Sequence, residues 1–159
     1  MSEKKFNLKL FLICLAIPLA VGGLSAFISR NGFKDFGALN QPPLSPPAIL
    51  FPIVWTILYL IMGYSLYLVL TSGEGNAVIA PAVLLFALQL FFNFFWSIWF
   101  FNFSLYFFAF GWLLVMWALI FAMIVAFYKA SPTAALINIP YLLWVTFAGY
   151  LNLGVAILN

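Results

Sequence analysis

Apolar residues run through this chain in long blocks, and polar residues gather in the gaps between them. A helix that crosses about 30 Å of hydrocarbon needs roughly 20 residues at about 1.5 Å rise each. Five blocks reach that length, at 8–29, 47–71, 78–101, 105–128 and 133–158. Each gap carries its own breaker: Pro46-Pro47, then Ser72-Gly73-Glu74-Gly75-Asn76, Asn102-Phe103-Ser104, and Lys129 to Pro132. The blocks lack the two-residue alternation of barrel strands, so they predict helices. The expected fold is an all-α membrane protein, a single domain over 1–159 built as a five-transmembrane-helix bundle. No fixed-period repeat is visible, which disfavours the duplicated halves of many secondary transporters.

The first block follows Lys4 and Lys5 and resembles a signal peptide in that respect. Its apolar stretch is too long for one, and no clean small-residue cleavage site follows, so it is taken as a helix of the mature protein. The gap 30–46 is the one long connection, with Pro42, Pro43, Pro46 and Pro47 making its end stiff and extended. Two readings stand for it: a spacer with Pro47 starting the second helix, or a rigid lid over one mouth of the bundle. Charge sets the direction of the bundle. Lys4, Lys5, Lys9 and Lys129 fall on the N-terminal side and Arg30 and Lys34 on the other, which predicts a cytoplasmic N-terminus.

Composition then removes whole classes of function. Of the 159 residues, 67% are hydrophobic and 6% charged, where a soluble domain carries about a quarter charged. That excludes a soluble enzyme and a disordered tail. A net charge of +3 on scattered residues is too sparse for nucleic acid. With no His, the single Cys14, and only Glu3, Asp35 and Glu74 as acids, the chain has no internal disulfide, no His/Cys metal site and no hydrolytic triad. No charge stands in the middle of a span, which argues against ion-coupled transport.

Uncharged polar residues do stand there, at informative spacing. Gln89, Asn93 and Trp96 lie at i, i+4 and i+7 of the third span, so two amides face the bundle interior. Interhelical hydrogen bonding accounts for either amide alone. Tyr141, Trp144, Ala148 and Asn152 share a face of the fifth span, and Trp55, Tyr59 and Met62/Gly63 a face of the second. All six Trp fall inside spans. An interfacial belt explains Trp55, Trp99 and Trp112, while Trp144 lies deeper. Ala148 leaves a gap between bulky neighbours, and aromatic walls with a few amides suit a flat apolar ligand.

These residues also resemble a known family. Pro42-Pro43-Leu44-Ser45-Pro46-Pro47, then Val54-Trp55-Thr56-Ile57-Leu58-Tyr59 and Met62-Gly63-Tyr64, resembles the loop and second helix of the translocator protein family. Its members are also called tryptophan-rich sensory proteins or peripheral benzodiazepine receptors. Gln89-x-x-x-Asn93-x-x-Trp96 with Phe100-Phe101 resembles the third helix. Pro140-Tyr141-Leu142-Leu143-Trp144, with Phe147-Ala148 and Leu151-Asn152, resembles the fifth. The match runs in order through essentially the whole chain.

The resemblance implies a five-helix bundle, commonly a homodimer, in a bacterial cell membrane, with a ligand cavity beneath the first loop. It implies binding of porphyrins such as protoporphyrin IX, as ligand and not as resident cofactor, and of isoquinoline carboxamide and benzodiazepine drugs. The family's drug pocket maps onto Trp55, Asn93, Trp96, Trp144, Ala148 and Leu151, with Gly22 and Gly23 of the first helix nearby. Tyr59, Gln89 and Tyr141 join them from the stripes above. Trp55 and Trp144 match tryptophans implicated in light-dependent porphyrin breakdown, the one enzymatic activity the resemblance suggests. Asp35-Phe36, Gln41 and Ile49 depart from the family's loop pattern and alter the ligand contacts expected of a lid. Residues 153–159 contain neither the Tyr nor the Lys or Arg of the animal cholesterol motif, so cholesterol binding is not expected. The function implied is a tetrapyrrole sensor or translocator. The alternatives are passive transport of flat amphiphiles and a bundle whose aromatics only pack.

Overall fold

A computed structural model of the chain describes residues 6–159. Glu3, Lys4 and Lys5, which enter the charge count above, lie outside the described residues. The elements are α1 (Leu8–Asp35), a 3-10 turn (Phe36–Ala38), α2 (Leu50–Leu70), α3 (Asn76–Ser97), a π turn (Ile98–Asn102), α4 (Tyr106–Ala130), α5 (Pro132–Leu136) and α6 (Ile139–Leu158). No strand occurs among the described residues. Five spans are long and apolar enough to cross a membrane, the fifth being α5 and α6 together. The chain is a multi-pass integral membrane protein of the all-α class.

Local chemistry sets the helix ends. Asn7 caps α1, its side-chain oxygen accepting from the Leu10 N–H at 3.0 Å. Ser131 caps α5 in the same way, with Pro132 at the first helical position. The fifth span, expected as one helix over 133–158, breaks at Ile137-Asn138. Pro140 has no N–H to donate to the preceding turn. Asn138 instead turns its Nδ2 onto the Ala134 carbonyl at 2.8 Å.

Two expected boundaries are corrected. The first helix does not stop at Ser29 but continues to Asp35 and into the 3-10 turn. Arg30, Lys34 and Asp35 end the apolar run, yet none of them is a helix breaker. The second helix begins at Leu50 and not at Pro47, whose carbonyl accepts from the Leu50 N–H at 2.9 Å in a turn ahead of the helix. The long connection is therefore 39–49 and not 30–46.

That connection is fastened to the end of α6. The Asn40 N–H donates to Asn159 Oδ1 at 3.0 Å, Asn159 Nδ2 returns a bond to the Asn40 carbonyl at 3.0 Å, and the Tyr150 hydroxyl donates to the Pro43 carbonyl at 2.7 Å. Pro42 lies so close to Gly154 that a Cβ there would stand 2.5 Å from the proline ring.

The spans close into a ring. α1 packs on α2, α2 on α5, the fifth span on α4, α4 on α3, and α3 with its π turn back on α1. Close approach of α1 and α2 needs Gly63, where a Cβ would meet the Cys14 carbonyl oxygen at 2.6 Å. That carbonyl also lacks its usual helical donor, because residue 18 is proline. Around the N-terminus of α1 the ring is filled: Phe11 and Tyr67 meet edge-on at 5.4 Å, and Met62, Val69, Met123, Phe127 and Ala134 are fully buried. The opposite end is not filled.

Candidate ligand-binding cavity

Near the ends of α1 and α3, the start of α2 and the middle of α6, rings make the contacts across the bundle. Trp55 meets Tyr141 edge-on at 6.2 Å and Trp96 at 6.4 Å. Beside Trp55 and Trp96 lies a cavity of about 570 Å³. Phe33, Phe36, Phe51, Trp55, Trp96, Phe100 and Phe101 supply its aromatic wall. The π turn sets two of these rings, because its wider winding re-aims the residues after Ser97. Gly32 lets α1 lie directly on that turn, with the Phe101 carbonyl oxygen where a Cβ would be. On one side the wall is thin. Gly23 and Ala26 of α1 and Pro52 and Thr56 of α2 line the cavity and are also exposed, so a slit between these helices faces the lipid.

The floor is a chain of hydrogen bonds. The Tyr59 hydroxyl donates to Asn93 Oδ1 at 2.7 Å, Asn93 Nδ2 donates to the Tyr141 hydroxyl at 3.0 Å, and Tyr141 donates to Gln89 Oε1 at 2.7 Å. Gln89 Nε2 ends the chain 3.9 Å from the Met62 sulfur. Trp96 donates its indole N–H to Asn152 Oδ1 at 3.0 Å, and Asn152 Nδ2 donates to the Tyr106 carbonyl at 2.8 Å, which ties α3, α6 and α4 together. Buried amides in hydrocarbon are stable only when satisfied in this way. Tyr141→Phe removes one acceptor and one donor at once and leaves both Asn93 and Gln89 short of a partner. We expect it to cost about 1–3 kcal/mol, read as a lowered melting temperature in neutral detergent. Tyr59→Phe, which loses one bond, should cost less. An unchanged melt for Tyr141→Phe would show that the chain does not hold the helices.

The structure sorts the candidate residues into three groups. Gly22, Gly23, Trp55, Tyr59, Asn93, Trp96, Ala148 and Leu151 line the cavity. Gln89 and Tyr141 do not. They are fully buried one layer beneath and orient Asn93. Trp144 lies outside, in a shallow groove with Val54, Ile57, Leu143 and Phe147, and reaches the cavity wall only through Phe51 at 6.0 Å. Three residues of helix turn Trp144 about 60° away from Tyr141, enough to swing a long indole off the inner face. Trp55 and Trp144 are thus not brought face to face.

Several lining residues escaped the sequence reading: Ser25, Ser29, Arg30, Phe33, Lys34, Phe36, Phe51 and Ser97. A signal for part of them was present. Cys14, Pro18, Gly22, Ser25, Ser29, Gly32 and Phe36 repeat every three or four residues and continue straight past Arg30. No residue of 37–50 lines the cavity, so the proline-rich connection is neither a loose spacer nor a wall of this site.

Comparison with known proteins agrees with this architecture. The model of the TspO/MBR family matches residues 14–158. The chain is 37% identical over 148 residues to the tryptophan-rich protein TspO of Chlorobaculum tepidum, covering 92% of this chain and 94% of that one. It is 33% identical over 150 residues to the tryptophan-rich sensory protein of Cereibacter sphaeroides, covering 94% and 91%. It is 35% identical over 142 residues to the translocator protein of Bos taurus, covering 86% and 82%. With a ring of five spans, a one-ended aromatic cavity and full-length similarity to these proteins, the chain belongs to the TspO/MBR family.

Proposed function

We propose that the cavity binds tetrapyrroles of the protoporphyrin IX type and other flat apolar ligands, and that the protein acts through this binding as a sensor or translocator. The observation that carries the proposal is the aromatic cavity itself. Its volume of about 570 Å³ falls within the roughly 300–1,000 Å³ of small-molecule sites. Seven rings offer flat faces, and Tyr59, Asn93 and Asn152 offer a few polar atoms to orient an edge. The names of the relatives, sensory protein and translocator protein, accord with both roles.

One feature favours binding and signalling over passive transport. The cavity has a floor, and beneath it Tyr141, Gln89 and Met62 are fully buried, so no open path continues toward the N-terminus of α1. With that terminus in the cytoplasm, the cavity opens on the outer side of a bacterial cell membrane. The protein works there, on this proposal, as the homodimer its family resemblance implies.

Burying roughly 400 Å² of ligand at about 25 cal/mol per Å² contributes about 10 kcal/mol. Association costs of at least about 4 kcal/mol leave at most about 6 kcal/mol, a dissociation constant of tens of micromolar at the tightest. Titrating the protein with protoporphyrin IX in neutral detergent should therefore quench tryptophan fluorescence saturably in that range. Quenching that rises linearly without saturation would sink the proposal. The same complex tests light-dependent porphyrin loss. Trp55 lines the cavity and Trp144 stands one ring away, so Trp55→Phe should lose most of such loss and Trp144→Phe should keep more than half. Parent rates in both variants would make these indoles pocket walls only.

A further inference from the structure

The C-terminal half of α1 parts from α2 because its bonds go to α3 and the π turn. Ser25 donates to the Phe94 carbonyl at 2.9 Å, Asn102 Nδ2 donates to the Ile28 carbonyl at 3.2 Å, and Gly32 lies on the Phe101 carbonyl. α1 and α2 meet at Gly22, where the Tyr59 ring leaves no room for a Cβ, and the chain meets α2 again at the Phe36–Phe51 ring pair, 5.9 Å apart. Between these contacts the slit is a window into the cavity, bounded at both ends. Gly23 and Ala26 form one lip and Pro52 and Thr56 the other, and all four are exposed. Nothing lies within 4 Å of a Cβ at Gly23. The lips offer no free polar side chain, because the Thr56 hydroxyl donates to the Pro52 carbonyl at 2.7 Å. Gly23 and Ala26 lie within the first apolar block, so the window opens at hydrocarbon depth. Inside, Tyr59 is paired with Asn93 and Trp96 with Asn152, so these groups require no polar guest.

We infer that one acyl chain of a bilayer phospholipid threads this window and occupies the cavity when no other ligand is present. The headgroup and second chain stay in the bilayer. An unfilled apolar cavity forfeits dispersion contacts along its whole lining and tends to stay dry. Hydrocarbon is the solvent at the window, and a chain that enters brings no polar group with it. Moving from lipid to cavity yields no hydrophobic gain, since acyl chains are as apolar as the wall. The drive is contact with rings that otherwise face a void, so the chain is a weak ligand at very high local concentration. The proposal shares the cavity with the flat-ligand reading above but does not depend on it. The plainer role for Gly23 and Ala26 is as small residues on a lipid-facing surface, with α1 closing onto α2. That closure would pull α1 away from the bonds Ser25 and Ile28 make to α3 and the π turn.

The test reconstitutes the protein in phosphatidylcholine vesicles that contain, as a minor component, a phosphatidylcholine with a diazirine near the methyl end of one chain. After irradiation, labelled residues are mapped by proteolysis and mass spectrometry. Trp96, Phe100 and Leu151 are the reporters, since each is buried and lines the cavity on the walls away from the window. Val115 and Leu143 are exposed and report ordinary contact with the bilayer. The parent should be labelled at both sets. Gly23→Phe/Ala26→Phe should cut the reporter labels about tenfold or more and leave Val115 and Leu143 unchanged. Thr56→Phe narrows the window from the other lip and should act in the same way, which keeps the test decisive if the melting temperature shows that the double variant does not fold. Reporters left unlabelled in the parent while Val115 and Leu143 are labelled, or reporter labels that the folded blocked variants keep, overturn the proposal. Saturable quenching by protoporphyrin IX in detergent without reporter labels in vesicles keeps the flat-ligand reading and overturns the acyl chain. Reporter labels together with unsaturable quenching do the reverse.

Discussion

Ala148→Leu is expected to weaken binding of protoporphyrin IX by about tenfold or more while the melting temperature stays close to that of the parent. Ala148 lines the cavity at 5% exposure, between Tyr141 and Leu151 on the inner face of α6. A leucine there projects three further carbons into ligand space, and leucine is as good a helix former as the bundle needs. Overpacking of a filled core commonly costs about 1–3 kcal/mol. Here that cost falls on the complex, because the free protein has about 570 Å³ in which to place the side chain. A penalty of about 1.4 kcal/mol already corresponds to a tenfold loss. Parent affinity in this variant would place Ala148 outside the ligand's footprint. A large drop in melting temperature would instead show that the cavity is narrower than its volume implies.

Gly32→Val should be the most destabilising single change outside the floor, costing about 3 kcal/mol or more and abolishing ligand binding. A Cβ at this position would stand 2.0 Å from the Phe101 carbonyl oxygen and 2.5 Å from its carbon. Both are backbone atoms of the π turn, which cannot rotate aside, so the end of α1 must lift from α3. Phe33 and Phe36 on one side of that seam and Phe100 and Phe101 on the other would then part, and the aromatic wall with them. Gly23→Ala is the control: nothing lies within 4 Å of a Cβ there, and replacing a helical glycine by alanine gains roughly 0.5–1 kcal/mol. Thermal unfolding in detergent should separate the two variants in opposite directions. A Gly32→Val protein that melts with the parent would mean that the α1 end and the π turn are not packed as described.

The bundle was legible in the sequence because hydrocarbon leaves few options: continuous apolar blocks of span length separated by Gly, Pro and Asn dictate helices. The stripe Gln89, Asn93, Trp96 was legible for a similar reason, since amides in lipid must turn inward, and all three are buried. Hydropathy marks where the membrane ends and not where a helix ends. Hence the charged residues from Arg30 onward hid the last turns of α1, and with them Phe33 and Phe36 of the site. Helical spacing alone also could not resolve Trp144 from Tyr141. The two lie within one face by angle, and only the packing of α2 against the fifth span decides which ring enters the bundle. The lid reading of the proline-rich stretch failed for a different reason: its partners, Tyr150, Gly154 and Asn159, lie over 100 residues away, and no local pattern announces them.

The thin wall between α1 and α2 changes what an affinity measured for this protein means. Gly23, Ala26, Pro52 and Thr56 put the cavity in contact with acyl chains, so a hydrophobic ligand can arrive from the bilayer without crossing water. The concentration that governs occupancy is then the ligand's mole fraction in the lipid, set by its partition coefficient. Adding lipid at fixed total ligand dilutes that mole fraction and raises the apparent dissociation constant, although no contact in the cavity has altered. A compound with poor contacts but strong partitioning can occupy the cavity more fully than a better-fitting compound that stays in water.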